Sequence, residues 1–447
     1  MVGASLAGLF AAAAAHRAGC AVTVLERDEL SDEAAVRSGV PQGPQPHVFL
    51  HRGLLAGEHL LPGLTEGLTA AGAVRLSTGW LPWLGEFGWS PLGDHGYDIH
   101  SASRPLLELV ARRRLLALPG VELRTGQHVV RLRRGPGPAG GWVLESASGQ
   151  AVAADVVIEA SGRSSRLPHR LADLGVRPAS VRSLDARVGY ATRVYEGDGT
   201  GVVVQATPQA PRGGLALPIE GGRWLVSVVG FGTDRPPRDP AEFSAHLRSL
   251  RDPALADQAE RWTPLGDVAV HRQTANVRHH YEDVPDWPAG LLAVGDALCA
   301  FNPVYGQGIA VAACQAELLV GGLAAGAALA ADAAQTRRLQ RSMAQLASFP
   351  WSVATGADVR FPHSGTPQTR SQAVLNAWAS QVGALAAHGN LRAAATLSRT
   401  YHLIGSPWGL FHPALFAAAA SGKVRGYPPP NPRPAVLAAA VEPTGGT

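Results

Sequence analysis

The segment that most constrains the fold is the N-terminal stretch "MVGASLAGLF", which contains a glycine-spaced turn. Gly3, Ser5 and Gly8 occupy the three positions of a G-x-G-x-x-G pattern, with serine in place of the middle glycine. Such a loop joins a buried strand to a helix whose N-terminal N–H groups and dipole bind a phosphate. Leu6 and Ala7 open an alanine-rich run that predicts this helix. The segment therefore predicts a βαβ unit that binds a nucleotide.

Two features on either side of this helix qualify the prediction. The short apolar run 21–25 ends at Glu26 and Arg27, where a carboxylate at a strand end can accept hydrogen bonds from a ribose. Only Met1 and Val2 precede the first glycine, whereas a strand usually has about five residues. We therefore expect the first strand to be almost missing and its support of the loop to be incomplete. From this stretch alone, a working loop, a truncated one and a coincidence all remain open.

A second glycine-rich segment, "GDALCAFNPVYGQGIAVA", lies near residue 300. Gly295 and Asp296 end an apolar strand, and Asp296 can there bind a ribityl hydroxyl. The residues that open the following helix are Pro303, Gly306, Gln307 and Gly308. Their backbone N–H groups lie at a positive helix end suited to an anionic group such as the edge of a reduced flavin ring. The alternative is an ordinary turn with a capping aspartate.

Composition excludes several classes of function. Hydrophobic residues make up 46% of the 447 residues and charged residues 17%, as in ordinary globular proteins. The net charge is only +4 and the basic residues are scattered, so we expect no nucleic-acid partner. Three widely spaced cysteines and the lack of a metal-ligand spacing argue against disulfides and against a metal site. No apolar run reaches the roughly 20 residues that span a bilayer, so we expect no transmembrane segment and a cytoplasmic location.

Together the two glycine segments resemble the flavoprotein monooxygenases of the aromatic-hydroxylase type. The stretches "RSGVPQGPQPHVFLHRG", "VIEASGRSSRLPHRLADLGV", "LPIEGGRWLVSVVG" and "SRPLLELVARRRL" look like segments of the flavin-dependent epoxidases of bacterial polyether biosynthesis. Many relatives carry Asp-Gly where this chain has Ser161-Gly162, and that departure favours the epoxidase group. The predicted FAD-binding positions are Gly3, Ser5, Leu6, Ala7, Gly8, Glu26, Arg27, Arg104, Gly162, Gly295, Asp296, Pro303, Gly306, Gln307 and Gly308.

The resemblance implies an α/β fold, α+β overall, with a Rossmann-like FAD-binding domain and an interleaved antiparallel substrate sheet. Alternating runs between residues 185 and 275 are typical of such a sheet. We expect the FAD-binding domain at 1–75, 100–182 and 285–330. The β-rich substrate domain is expected at 76–99 and 183–284, and a helical region with a Pro-rich tail at 331–447.

The function implied is that of an FAD-dependent monooxygenase using NAD(P)H and O₂ through a flavin C4a-hydroperoxide. The leading reaction is epoxidation of an alkene in an apolar, polyketide- or terpenoid-like substrate of secondary metabolism, such as antibiotic biosynthesis. Alternatives are aromatic ring hydroxylation and, in another class, a degenerate flavoprotein fold that binds without turnover. Halogenation is disfavoured because Lys423, the only lysine, lies in a Gly- and Pro-rich tail.

No catalytic residue, oligomeric state or choice between NADH and NADPH is predicted. The candidate substrate-pocket residues are His47, Trp80, Trp83, Tyr190 and Trp224, although packing is the simpler interpretation of the tryptophan loop.

Overall fold

The computed structural model describes residues 1–135, 141–324 and 327–439. The helices in these ranges are α1 (Leu6–Arg17), α2 (His51–Leu60), α3 (Leu64–Ala70), α4 (Arg104–Leu116), α5 (Leu167–Asp173), α6 (Pro240–Arg248), α7 (Ala254–Arg261), α8 (Gly308–Leu323), α9 (Ala327–Ala331), α10 (Ala333–Leu346), α11 (Ser348–Asp358), α12 (Arg370–Ala387), α13 (Leu391–Tyr401), α14 (Pro413–Arg425) and α15 (Val436–Ala439).

The strands are β1 (Val22–Leu25), β2 (His47–Phe49), β3 (Val74–Ser77), β4 (Trp83–Leu84), β5 (Asp98–Ala102), β6 (Val121–Arg124), β7 (Val129–Arg134), β8 (Trp142–Ser146), β9 (Ala151–Ala154), β10 (Val157–Glu159), β11 (Val181–Leu184), β12 (Val188–Glu196), β13 (Val202–Val204), β14 (Arg212–Ile219), β15 (Arg223–Phe231), β16 (Thr263–His271), β17 (Asn276–His279), β18 (Leu291–Ala293) and β19 (Cys299–Ala300). This mixture of helices and sheets confirms the predicted fold class.

A parallel sheet carries the glycine loop. Strand β1 pairs with β6, and β10 pairs with β18, both in parallel register. Val2 joins the two pairs, because it bridges Leu25 at the end of β1 and Glu159 at the end of β10. Its N–H donates to a β10 carbonyl at 2.9 Å, and the N–H of Gly3 donates to the Leu25 carbonyl at 2.8 Å. The sequence predicts that the loop is incompletely supported by its first strand. In the structure, however, Val2 and Gly3 are hydrogen-bonded to strands on both sides.

Helix α1 lies at the centre of the helical layer around this sheet. Its alanine run is buried, and α1 contacts α8, α4 and α2. Small side chains permit this close packing. Helix α10 packs against α8 and β18, where Gln340 exchanges two hydrogen bonds, of 2.8 and 3.1 Å, with the backbone of Ala293.

The largest sheet has six strands in the order β16–β12–β15–β14–β13–β4. Its pairs are antiparallel except that β4 joins β13 in parallel register. Helices α6 and α7 pack on it around a core that includes Val226, Phe243 and Leu255. The segment around β4 therefore belongs to the same sheet as residues more than a hundred positions later in the chain.

Three smaller sheets and a separate helical group complete the described structure. The sheets have the orders β2–β5–β3, β7–β8–β9 and β11–β17–β19, each antiparallel. Helices α12, α13 and α14 pack around their own apolar cluster, which includes Val382, Leu385 and Leu415.

Candidate functional site

The glycine segment excludes a side chain at two positions, at Gly3 by its backbone angle and close packing, and at Gly8, in the first turn of α1, by lack of space. Gly3 has a φ of +97°, and a Cβ on it would lie 2.7 Å from the carbonyl oxygen of Ala160. A Cβ on Gly8 would lie 1.9 Å from the carbonyl oxygen of Gly3. Both contacts are with backbone atoms, which cannot move aside as a side chain can. The loop therefore leads directly into α1, and its backbone N–H groups lie at the positive end of the helix dipole.

Ser5, at the position of the middle glycine, belongs to a buried network of charges. Its hydroxyl donates to Oε1 of Glu108 at 2.6 Å and accepts from Nη2 of Arg104 at 2.7 Å. Nε of Arg104 donates to Glu108 at 2.9 Å, and Nε of Arg37 donates to the other carboxylate oxygen at 3.1 Å. Burial opposes ionisation of Glu108, but Arg104 and Arg37 outweigh it and lower the pKa of the carboxyl. Ser5 is therefore small enough for the loop and also hydrogen-bonds to both Arg104 and Glu108.

Glu26 directly follows β1, and backbone N–H groups of the neighbouring loops hold its carboxylate. It accepts hydrogen bonds from the backbone N–H of Ala4 at 2.7 Å and of Asp28 at 3.1 Å. Arg37 links this corner to the Ser5 network, because its Nη1 lies 2.9 Å from Asp28 and 3.4 Å from Glu26. The sequence analysis missed Arg37 and Glu108. The signal available for Glu108 was its i, i+4 spacing from Arg104 on an apolar helix.

The second glycine-rich segment packs against the first turn of α1. A Cβ on Gly295 would lie 2.7 Å from the Cβ of Ala7. Asp296 follows in a short 3₁₀ turn, and its carboxylate makes no hydrogen bond within the part of the chain that the structure describes. Burial raises the pKa of Asp296, while the positive charges of Arg163 and Arg104 act in the opposite direction. Asp296 thus has acceptor oxygens available to a bound molecule.

Gln307 offers a second free acceptor at the start of α8. Gly306, with a φ of +64°, ends a 3₁₀ turn at 303–305, and Gly308 begins the helix. The side chain of Gln307 is buried, and its Oε1 has no hydrogen-bond partner in the described ranges. A buried carbonyl oxygen without a donor is costly, so a ligand that donates a hydrogen bond there would be favoured.

A single cavity of about 1370 Å³ brings the two glycine segments together. Its wall includes the predicted FAD positions Gly3, Ser5, Leu6, Ala7, Glu26, Arg27, Arg104, Gly162, Gly295, Asp296, Pro303, Gly306, Gln307 and Gly308. Gly8 lies behind Gly3 and outside the wall. Single-ligand pockets are usually about 300–1,000 Å³, so this cavity has room for a large cofactor and a second molecule.

Three of the five predicted substrate residues, His47, Trp83 and Tyr190, line the same cavity. The Nδ1–H of His47 donates to the Gln45 carbonyl at 2.8 Å. Burial, reinforced by the positive charge of Arg104, lowers the pKa of His47 to about 3. The imidazole is therefore neutral at pH 7, and Nε2 is its acceptor nitrogen.

The other two predicted substrate residues lie outside the cavity wall. Trp80, in a 3₁₀ turn at 78–80, is 59% exposed. Trp224 is buried, but its ring stacks on Trp262 at 4.8 Å and its Nε1 donates to the carbonyl of Gly197 at 2.7 Å. Trp224 packs in the core beneath α6 and α7 and Trp80 is a surface residue, so neither lines the cavity, and their assignment to the substrate stays a prediction.

A hydrogen-bonded network behind the cavity wall centres on Asp358. Its carboxylate accepts from the Tyr305 hydroxyl at 2.7 Å, from Asn276 at 2.6 Å and from Asn302 at 3.0 Å. The Tyr190 hydroxyl donates to Asn302 at 3.3 Å. Burial raises the pKa of Asp358 to about 6 against these donors. Two tyrosines of the cavity wall are thus held by buried polar partners that the sequence analysis did not single out.

The C-terminal helices complete the cavity, although the sequence analysis placed no site residue there. Tyr401, at the end of α13, has its hydroxyl 3.1 Å from where a Cβ on Gly306 would lie, and its ring meets Trp83 edge to face at 5.6 Å. Burial raises the pKa of Tyr401 to about 12. Other wall residues from this region are Leu375, Trp378, Leu397, His402, Trp408 and Phe411. No sequence motif marks these residues, because they reach the cavity only when the C-terminal helices pack against segments about a hundred or more residues earlier in the chain.

Two further features concern the predictions that the chain has no metal site and no transmembrane segment. Among the described residues, His280, Glu282 and Asp283 bring potential metal-ligating atoms close together, but Glu282 is also 3.1 Å from Arg278. In the same part of the chain, no helix combines the length and apolar character needed to cross a bilayer.

Comparison with known proteins defines the family. No protein-family model matches the chain. Protein Rv3254 of Mycobacterium tuberculosis is 31% identical over 385 residues, which cover 81% of this chain and 80% of that protein. The chain belongs to the family of protein Rv3254.

Solved structures share the fold at low sequence identity. The flavin-dependent brominase Bmp2 is 14% identical with a TM-score of 0.65, over 95% of this chain and 98% of that protein. PqsL of Pseudomonas aeruginosa, a probable FAD-dependent monooxygenase, is 15% identical with a TM-score of 0.58, over 80% and 96%. The anhydrotetracycline hydroxylase OxyS of Streptomyces rimosus is 17% identical with a TM-score of 0.59, over 91% and 75%. These similarities confirm the predicted flavoprotein-monooxygenase fold, and at such identities they concern the fold alone.

Proposed function

We propose that this chain is an FAD-dependent monooxygenase that epoxidises an alkene in an apolar organic substrate. The observation that carries the proposal is the continuity of one cavity. It runs from the glycine loop and Glu26, past Asp296 and the 303–308 turn, to apolar walls contributed by the six-stranded sheet and the C-terminal helices. The fold shared with PqsL and OxyS supports the same reaction class.

The residues present fit FAD. Cβ atoms are excluded at Gly3 and Gly8, which gives the tight turn and the close helix packing of a dinucleotide-binding loop. Glu26 would accept hydrogen bonds from a ribose. Within the described ranges, the Asp296 carboxylate has no hydrogen-bond donor and the buried Gln307 Oε1 has no partner, so both could accept from the cofactor. When bound and reduced by NAD(P)H, FAD supplies the activation of O₂.

The protein itself would bind and orient FAD and the substrate and would exclude water from the cavity. Apolar side chains in the cavity wall include Ile99, Leu215, Leu217, Phe231 and Phe361. A dry cavity protects reactive oxygen chemistry from discharge by solvent. The hydroxyls of Tyr190 and Tyr305 already donate to Asn302 and to Asp358, so neither is a free base. Oxygen transfer to an alkene requires no protein base, so epoxidation is compatible with a wall whose tyrosines are already hydrogen-bonded.

Aromatic ring hydroxylation is the second candidate, and His47 is the observation that favours it. The imidazole lines the cavity and is neutral, and its Nε2 makes no hydrogen bond within the described residues. Nε2 of the neutral imidazole can accept a hydrogen bond from a phenol hydroxyl and so position and polarise an aromatic ring, although the lowered pKa makes His47 a weak base.

Halogenation is disfavoured despite the likeness to a brominase. Lys423 is the only lysine in the sequence. It is exposed on α14 and does not line the cavity, so no lysine is available beside the proposed flavin site.

The first test is spectroscopic. Purified protein should show flavin absorbance or regain it with added FAD, and absence of both would exclude oxygenation in favour of a non-catalytic binding fold. Substrate-dependent NAD(P)H oxidation is then compared between a set of apolar alkenes and a matched set of phenols. Epoxidation predicts turnover of alkenes that survives in His47→Gln. Turnover of phenols only, lost in His47→Gln, would establish the hydroxylase instead.

A further inference from the structure

Exposed and partly exposed apolar side chains form a patch on the C-terminal helices, where Nε1 of Trp378 on α12 donates to the carbonyl of Leu410 in the 407–411 turn at 2.8 Å. This C-terminal patch consists of Leu375, Trp378, Trp408, Phe411 and Phe416. Trp378 stacks on Phe416 with ring centroids 4.0 Å apart, and Trp408 lies 6.0 Å from Phe411. Leu375 is 51% exposed, Trp408 78% and Phe416 46%. Exposed aromatic groups of this density mark an interaction site more often than an inert surface.

The cavity reaches the surface at the C-terminal patch. Leu375, Trp378, Trp408 and Phe411 are lining residues of the cavity and are also wholly or partly exposed. Whatever covers the patch therefore covers an opening of the proposed active site.

The charged side chains that the C-terminal segment itself contributes have one sign. Residues 359–441 contain seven Arg and Lys residues and no Asp or Glu. Arg360 pairs with Glu86, and Arg433 pairs with Asp252. The other five are exposed and make no ion pair within the described ranges: Arg370, Arg392, Arg399, Lys423 and Arg425. A protein of net charge +4 thus places an unneutralised basic group on this one helical unit.

Helical periodicity puts several of these cations beside the patch. Arg370 is eight residues before Trp378 on α12, and Lys423 is seven residues after Phe416 on α14. Seven residues are close to two helical turns, so Lys423 shares a face with Phe416, whereas eight residues turn about 80° beyond two turns and place Arg370 to one side of Trp378.

Helix α13 contributes two more cations next to the turn that carries Trp408. Arg392, Thr396 and Arg399 follow an i, i+4, i+7 spacing and share one face. The Thr396 methyl group lies 3.6 Å from where a Cβ on Gly409 would be, so this face meets the 407–411 turn.

We propose that the C-terminal patch docks on an anionic lipid surface, with the cavity opening toward the bilayer. Aromatic and aliphatic side chains surrounded by Arg and Lys are the composition that binds the headgroup region of such membranes. A second copy of the chain would bring five like charges against five, which disfavours self-association through this face. The idea that an apolar substrate enters the cavity from the bilayer rests on the proposed function. Binding of the C-terminal patch to lipid does not depend on it.

The test is co-sedimentation of the full chain with vesicles. Binding is expected to vesicles of equal phosphatidylglycerol and phosphatidylcholine, and to be much weaker with phosphatidylcholine alone or in high salt. Each surface cation contributes about a fivefold change in partition, so Arg392→Gln/Arg399→Gln should bind about 30-fold more weakly. Trp408→Ser should also weaken binding, because it removes the most exposed aromatic group.

The matched control is Arg182→Gln/Arg238→Gln, which removes two exposed arginines that lie outside the C-terminal helices and outside any ion pair of the described residues. It should bind as the parent does. No binding to anionic vesicles, equal binding to neutral ones, or equal losses in both double variants would overturn the proposal. A concentration-dependent dimer abolished by Trp408→Ser would overturn it in favour of self-association. Flavin absorbance is measured on the same samples, so failure of lipid binding is distinguishable from failure of the proposed function.

Discussion

The carboxyl group of Asp358 provides a direct test of the buried network beside the cavity. Burial raises its pKa from the ordinary 3.8 to about 6, against the donors Tyr305, Asn302 and Asn276. Because the folded-state pKa is the higher one, folding favours the protonated acid. The stability that this preference contributes is fully present below pH 3.8 and is lost as the pH rises through about 6.

The size of this effect follows from the two pKa values. A rise from 3.8 to about 6 corresponds to about 3 kcal/mol of unfolding free energy lost between low pH and pH 8. Roughly half of that is already lost at pH 5, so about 1.5 kcal/mol remains to be lost between pH 5 and pH 8. The asparagine of Asp358→Asn cannot ionise, so this variant should not show the pH-dependent loss of unfolding free energy that Asp358 causes.

The assay is urea unfolding followed by tryptophan fluorescence at both pH values. The unfolding free energy of the parent minus that of Asp358→Asn should fall by about 1.5 kcal/mol from pH 5 to pH 8. Asp173→Asn, which alters an exposed aspartate at the end of α5, is the control, and its difference from the parent should stay constant. A difference for Asp358→Asn that is flat or rises with pH would refute the reasoning.

Three further predictions concern the cofactor end of the cavity. Gly8→Ala should abolish FAD binding or folding, because its Cβ would lie 1.9 Å from a backbone oxygen, whereas Gly321→Ala on α8, with open space, should be tolerated; flavin content of the two purified proteins is the measurement. Asp296→Ala should weaken FAD affinity about 10-fold, the effect of losing a hydrogen bond to a charged group, and an unchanged flavin titration would remove Asp296 from the site. Glu108→Gln should cost about 3–5 kcal/mol of unfolding free energy, because it leaves the buried guanidinium of Arg104 without its carboxylate partner and removes one of the three carboxylates around Arg37. Glu122→Gln, at an exposed pair, should unfold as the parent does, and equal urea midpoints for the two variants would contradict the assigned role of Glu108.

The cofactor end of the cavity was largely predictable from sequence because its geometry demands particular residue types. The φ of +97° at Gly3 disfavours any residue with a side chain. At Gly8 a Cβ would lie 1.9 Å from a backbone oxygen, which excludes one. Such constraints leave a fixed spacing in the sequence. The assignments of these residues to FAD stay predictions, as does the division into domains.

The substrate end was only partly predictable because its wall depends on which way each side chain faces. Trp83 lies on β4 and lines the cavity, while Trp80, three residues earlier, is exposed in a turn. Trp224 lies on β15 but packs into the core beneath α6 and α7. A shift of one residue in a strand reverses the face, so composition alone cannot separate these tryptophans. Tyr401 has no motif at all and reaches the cavity only through the packing of α13.

The serine of the glycine loop changes the interpretation of the whole motif. Ser5 interrupts the glycine pattern, yet its hydroxyl accepts from Arg104 and donates to Glu108. Arg104 has no second acceptor for that Nη2 among the described residues, and Glu108 must balance both Arg104 and Arg37. Glycine at position 5 would therefore leave a buried guanidinium N–H unsatisfied, at a cost of about 1–3 kcal/mol. The loop and helix α4 are thus joined through Ser5, whose hydroxyl connects the loop to the Arg104–Glu108 pair.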